Sequence, residues 1–184
     1  MKRDCRSWLL LGAVLLLAGC GEKKAPGPVA DAAQEQQAAV PAEDPRIPTQ
    51  AQPKLKTIKL WVGSQELLAE LAVTPQQNHA GLMFRTNLAE QEGMLFVSGG
   101  PQKQGFWMKN TSLPLSIAFI DPNGSILEIY DMKPFDTNTV ASVSSDVQYI
   151  LETKQGWFQR HNIGPGTGIG TELGTLQKLF PRQN

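Results

Sequence analysis

The chain has 184 residues, 41% of them hydrophobic, and its 17 basic and 17 acidic side chains cancel. Without a basic excess, nothing points to a nucleic-acid partner. With two cysteines in the whole chain, the fold has no disulfide framework to rely on.

Lys2, Arg3 and Arg6 precede an apolar run from Trp8 to Ala18, eleven residues long. A helical span of a bilayer needs roughly 20. A basic start, a short apolar run and small residues before a cut describe a secretion signal, assigned here to residues 1–19. Ala18-Gly19-Cys20 resembles the lipobox of bacterial lipoproteins. That resemblance implies a diacylglycerol on the Cys20 thiol and, after cleavage, a further acyl chain on its freed amine. An ordinary signal peptide with an incidental cysteine is the rival reading. Each buried methylene contributes about 0.8 kcal/mol, so two or three chains hold firmly where one holds weakly. Gly21, rather than Asp, at the second mature position implies delivery to the periplasmic face of the outer membrane in a Gram-negative cell. Cleavage also removes Cys5, and Lys2, Arg3 and Arg6 against Asp4, leaving a mature chain of net charge −2 without a free thiol pair.

Residues 21–54 hold six of the thirteen prolines and no aromatic residue. Such a segment cannot bury enough apolar surface to offset its ordering entropy, so residues 20–54 read as a lipidated cysteine and a tether. A coil of that length reaches roughly 30–35 Å on average.

Residues 55–174 are enough for one core and not for two. Leu55–Val62 and Gln65–Val73 flank Gly63-Ser64, a hairpin loop with Gly first. A two-residue loop pairs Val62 with Gln65, Leu60 with Leu67 and Ile58 with Ala69 on one face. It puts Trp61–Glu66, Lys59–Leu68 and Thr57–Glu70 on the other. Thr74-Pro75 reads as an N-cap followed by a first-turn proline, opening a short helix to about Leu82. Strands are expected at Gly93–Val97, Gly105–Met108, Leu115–Ile120, Ser125–Met132 and Asp146–Thr153, with Asp121-Pro122-Asn123-Gly124 turning the second hairpin. A short helix around Gly156–His161 ends before Gly164-Pro165-Gly166, and Thr171–Phe180 has near-helical apolar spacing. Residues 175–184 are assigned to a C-terminal tail. Many short strands with two or three short helices predict a mainly β (α+β) domain with an antiparallel sheet. Closure into a barrel is compatible with that pattern and would leave no free edges.

Several blocks carry a more specific likeness: Gly81-Leu82-Met83-Phe84-Arg85, Gly93-Met94-Leu95-Phe96, Phe106-Trp107-Met108-Lys109-Asn110-Thr111 and Pro114-Leu115, then Ile117 and Phe119-Ile120-Asp121. With Leu151-Glu152, Gly156-Trp157 and Ile163 they resemble the domain-of-unknown-function 192 family over residues 57 to about 170. The resemblance implies a β-rich single domain, often exported or lipid-anchored, and no particular reaction. It also implies two departures: Asn78 stands where relatives often have Arg, and Ser116 where they usually have Asp. Both members of any Arg–Asp site are then missing.

Lys109-Asn110-Thr111 offers three hydrogen-bonding side chains in succession. With Arg85 they can grip an anionic or polyhydroxylated ligand, and Trp107 can supply a stacking face. Asn110 and Thr111 suit equally well a buried turn whose backbone groups they satisfy. His79 and His161 are the only histidines and lack metal-ligand spacing, so no metal or other cofactor is expected; either remains eligible as a general base. No nucleophile elbow, phosphate loop or dinucleotide fingerprint occurs. The expectation is an envelope protein held to the membrane by its lipid, binding a ligand or protein partner. The alternatives are an enzyme on an envelope polymer, gripping substrate with Arg85, Lys109, Asn110 and Thr111, and a structural accessory of an envelope complex.

Overall fold

The computed structural model describes residues 47–181. The segments assigned in sequence to a secretion signal and a tether, Cys20 included, lie outside the described residues up to residue 46.

β1 (Thr57–Val62) and β2 (Gln65–Ala72) form the expected hairpin, with all six expected register pairs. Gly63 takes φ +60, the left-handed value that the first position of a Gly-first hairpin turn requires. Ile58, Leu60, Val62, Leu67 and Ala69 are buried, whereas Trp61 and Leu68 face outward. α1 (Pro75–Ala80) starts on a reciprocal cap. The Gln77 N–H donates to Thr74 Oγ1 at 3.2 Å, and the Thr74 N–H donates to Gln77 Oε1 at 3.0 Å.

After α1 the chain enters β3 (Glu92–Gln102), which lies parallel to β2, from Leu68↔Glu92 to Ala72↔Phe96. A parallel step needs a crossover of a dozen or more residues, and the stretch between Ala72 and Glu92 provides it. The sheet is therefore mixed. β4 (Gly105–Phe106) is shorter than the strand expected at Gly105–Met108 and pairs only with β7 (Val140–Ala141). β5 (Leu115–Ile120) and β6 (Ile126–Met132) form the second hairpin. β8 (Val147–Lys154) inserts between β3 and β5. α2 (Trp157–Arg160), β9 (Ile169–Thr171), β10 (Gly174–Thr175) and α3 (Leu176–Leu179) complete the order.

The main sheet runs β10-β9-β1-β2-β3-β8-β5-β6. It does not close into a barrel. β6 approaches β9 through one isolated bridge, Ser125↔Gly168, beside an Ile126 N–H bond to the Thr167 carbonyl at 2.9 Å. The Gly166 N–H also donates to the Ile126 carbonyl and the Ile169 N–H to the Gly124 carbonyl, both at 2.7 Å, but no β6–β9 ladder follows among the described residues. The apolar spacing of Thr171–Phe180 does not yield one helix either. Gly174, at φ +122, breaks it, and Thr175 caps the short α3, whose Leu176 is fully buried in the core.

Two apolar clusters lie on the two faces of the central strands. One joins Leu60, Leu67, Leu95, Tyr149, Leu151, Trp157 and Phe158; the other joins Met94, Phe96, Met108, Ile117, Phe119 and Ile150. Every residue of β5 is buried, as is β8 up to Thr153, because both faces are covered. Gly93 sits where β2, β3 and β8 meet most tightly. A Cβ there would lie 2.7 Å from the Glu152 carbonyl oxygen, so no side chain fits without parting the strands.

Candidate functional site

On the second face, α1, β3 and the turn after β4 leave a cleft of about 280 Å³ above β8. α1 supplies Asn78 and His79. The Asn78 side-chain amide donates to the Val97 carbonyl at 3.2 Å, which leaves its Oδ1 buried without a partner. His79 Nε2 and Gln104 Nε2 are likewise buried and unpaired, although the Gln104 backbone is tied to Ser142. Buried polar atoms in native proteins nearly always have partners, so several unpaired ones around one cleft point to groups supplied from outside. Phe96, Phe106, Met108 and Ile150 make the apolar lining, with Phe96 and Phe106 edge-to-face at 5.0 Å.

Glu152 forms the floor of this cleft. It lies on β8 opposite Met94 of β3 and Ile117 of β5, is 4% exposed, and has no hydrogen-bond partner among the described residues. Burial alone pushes its carboxyl up to about 8. At neutral pH it is therefore a protonated acid, able to donate and accept. A depression of about 380 Å³ on the outer face of the β1–β2 hairpin is lined by Lys59, Gln65, Glu66 and Leu68, but holds no buried polar atom without a partner.

The family model DUF192, described as "Uncharacterized ACR", matches residues 58–171, and so takes in the cleft and nearly all the strands. The chain belongs to the DUF192 family. Two solved structures are similar to this DUF192 protein. One, described as a candidate transcription regulator from Sinorhizobium meliloti 1021, is 32% identical with a TM-score of 0.63; the match covers 65% of this chain and 97% of that one. The other, a protein of unknown function from Novosphingobium aromaticivorans DSM 12444, is 31% identical with a TM-score of 0.59; it covers 62% of this chain and 85% of that one. No curated protein matches this sequence.

The DUF192 domain separates the residues singled out in sequence. Trp107, Thr111 and His79 line the cleft. Thr111 is buried and its hydroxyl donates to the Lys109 carbonyl at 3.2 Å. Lys109 does not line the cleft; its ammonium lies 5.6 Å from the centroid of the Trp107 ring. Asn110 shapes a turn. At φ +55 it adopts the left-handed conformation that Asn tolerates, and its carbonyl accepts from the Phe84 N–H at 2.8 Å. Phe84 and Phe135, both at φ +60, are tied to the same turn, since the Phe135 N–H donates to the Thr111 carbonyl at 3.0 Å. For bulky side chains that backbone is strained, and the hydrogen bonds hold it in place.

Arg85 stands outside the cleft, ion-paired with Glu70 at 3.0 Å, and its Nη2 also donates to the Pro53 carbonyl. The Leu55 N–H donates to the same Glu70 oxygen at 2.7 Å, and Gln52 reaches the Gly81 carbonyl at 2.8 Å. Residues read in sequence as the end of the tether are thus fastened to the domain. His161 packs against Trp157 and Glu90, away from the cleft. Asn78 and Ser116 do not face one another: Asn78 is at the cleft, while Ser116 alternates with Ala118 on the opposite face of β5. There the Ser116 hydroxyl donates to Asp131 and accepts from the Gly156 N–H at 2.8 Å.

Glu152, Asn78 and Gln104 were not sequence candidates for ligand contact. The signal for Glu152 was present in Val147-Gln148-Tyr149-Ile150-Leu151-Glu152, a carboxylate inside a strand whose alternation puts it in line with Ile150. Gln104 carries no such signal, because it lies in a turn whose path depends on the pairing of β4 with β7.

Proposed function

We propose that this chain is an exported envelope protein, held by lipid on Cys20 at the periplasmic face of the outer membrane, whose β-rich domain binds a small ligand in the cleft above Glu152. The observation that carries the binding reading is the convergence of Glu152, Asn78 Oδ1, His79 Nε2 and Gln104 Nε2, all lacking protein partners, on one cavity. A cavity of about 280 Å³ is close to the lower bound of typical small-molecule sites. Binding is favoured over hydrolysis of a charged polymer because Arg85 and Lys109, the cations an extended anionic substrate needs, do not line the cavity.

Anchoring and binding are separately testable. Cys20→Ser is expected to move the protein from the membrane fraction to the soluble fraction, and unchanged membrane association would falsify the lipid anchor. For the cleft, a thermal-shift screen of small polar molecules is expected to yield hits. A hit at a hundred times its Kd adds about 2.7 kcal/mol to native-state stability. Such hits should weaken at least tenfold in Gln104→Ala and be indifferent to Trp61→Ala on the outer hairpin face. Equal sensitivity to both substitutions would place the site elsewhere.

A further inference from the structure

The unpaired atoms of the cleft are biased toward accepting. Glu152 contributes two carboxyl oxygens, Asn78 its Oδ1, and His79 its Nε2 when the imidazole presents a lone pair. Among the described residues lining the cleft, Gln104 Nε2 is the one unpaired nitrogen that can only donate. A ligand that satisfies this set is rich in donors and poor in acceptors.

Charge points the same way. Among the described residues, Glu152 is the only acidic side chain lining the cleft, and no Lys or Arg lines it to compete for the carboxyl. The groups around Glu152 are few. α1 brings His79, the flanking strands present Met94 and Ile117, and the turn after β4 brings Trp107 with the Lys109 ammonium over its ring. A buried carboxylate with no countercharge is costly, which makes the empty-handed acid a strong acceptor for any cation that can enter. The rings of Phe96 and Phe106 offer an arriving cation further attraction.

Resting on the cleft's being a ligand site, we propose that it takes a small organic ammonium ion, R–NH3+, with the charged head on Glu152 and the apolar R group against Phe96, Met108 and Ile150. The three N–H bonds of the head match the acceptors on Glu152, Asn78 and His79. Binding exchanges one charge for another: the Glu152 O–H bond breaks, its proton passes to solvent buffer, and the carboxylate left behind pairs with the ammonium. Because the free acid holds its proton up to about pH 8, nearly one proton (~0.9) leaves per ligand bound at pH 7. Affinity then rises roughly tenfold for each pH unit between 6 and 7.5.

The test uses the full chain in detergent and three probes: propylammonium chloride, its neutral counterpart 1-propanol, and the polyol myo-inositol. Ligand-observed NMR measures affinity, and a pH-stat titration counts released protons. Propylammonium is expected to bind at least tenfold more tightly than 1-propanol at pH 7, with the stated proton release and pH slope. Glu152→Gln should remove the advantage, the proton and the slope together, whereas His79→Gln should keep the slope. If 1-propanol or myo-inositol binds as well as propylammonium, the cation is overturned while the cleft remains a ligand site. A cation advantage that survives Glu152→Gln also overturns the proposal. If none of the three binds, the ligand-binding reading of the cleft falls with it.

Discussion

Glu152→Gln is expected to make the domain more stable at neutral pH, not less, and to flatten the fall of its stability with rising pH. The sign follows from the buried carboxyl. Its pKa is raised from 4.5 in the unfolded chain to about 8 in the folded one, so between those values the native state keeps a proton that the unfolded state has lost. Stability is then fully present below pH 4.5, declines by about 1.4 kcal/mol per pH unit as pH rises, and levels off above 8. From pH 5 to pH 7 the loss is roughly 2–3 kcal/mol. Gln keeps the shape and the hydrogen-bonding capacity without the proton, so the variant escapes that decline. At about 4 °C per kcal/mol for a domain of this size, its melting temperature at pH 7 should exceed that of the parent by ~8–12 °C.

Other carboxylates work in a different window and do not mask the effect. Glu92 is lowered chiefly by the hydrogen bond from the Ala89 N–H. For Glu128, burial acts to raise it, but the Val143 and Ser144 N–H groups and the Tyr130 hydroxyl outweigh that and lower it. Lowered carboxyls contribute stability above pH 4.5 and lose it as pH falls through their folded values. The parent should therefore be most stable near pH 5, with losses on both sides arising from different residues. Melting curves from pH 4 to 9 decide it: a parent profile that is flat between pH 5 and 8, unchanged by Glu152→Gln, would mean that the carboxyl is hydrated and ionised.

This acid also shows where sequence reading stops. The register of the β1–β2 hairpin is legible to the residue, because a Gly-first two-residue loop fixes it and alternation decides the buried face, while the outer strand ends fall one or two residues short of Leu55 and Val73. The capped start of α1 was legible for the same local reason. Apolar patterning marks β3 only over Gly93–Val97, yet the strand runs to Gln102, since Ser98-Gly99-Gly100-Pro101 has turn chemistry and its extension follows from tertiary pairing at Gln102↔Val147. Alternation identifies strands without saying which neighbours they choose, so neither the parallel β2–β3 pair nor the place of β8 between β3 and β5 was available. The cleft depends on both. Hydrogen-bonding side chains in a row, as in Lys109-Asn110-Thr111, drew attention in sequence, yet the fold uses Asn110 to turn the backbone and brings distant Asn78, Gln104 and Glu152 together instead.

Arg85→Ala is expected to destabilise the domain by about 1–3 kcal/mol while leaving ligand affinity at the cleft within twofold. The magnitude lies between an exposed ion pair, worth at most ~1 kcal/mol, and a fully buried one, whose disruption costs ~3–5. Here the side chains of Arg85 and Glu70 are 19% and 12% exposed. Without the guanidinium, Glu70 keeps only the Leu55 N–H, and the Pro53 carbonyl loses its donor. The loss should be greatest at low salt and should include local release of the chain ahead of β1, seen as faster tryptic cleavage after Lys54 and Lys56. Pairing Arg85→Ala with Glu70→Gln gives the internal control. If the cost comes from stranding a carboxylate, the double variant should be more stable than Arg85→Ala alone. A parent-like melting temperature together with a tenfold loss of ligand affinity would reverse the assignment, returning Arg85 to the ligand grip that its sequence neighbourhood suggested. The expected outcome instead makes Arg85 the clasp between the sheet and the segment ahead of β1, through Glu70, Pro53 and Leu55.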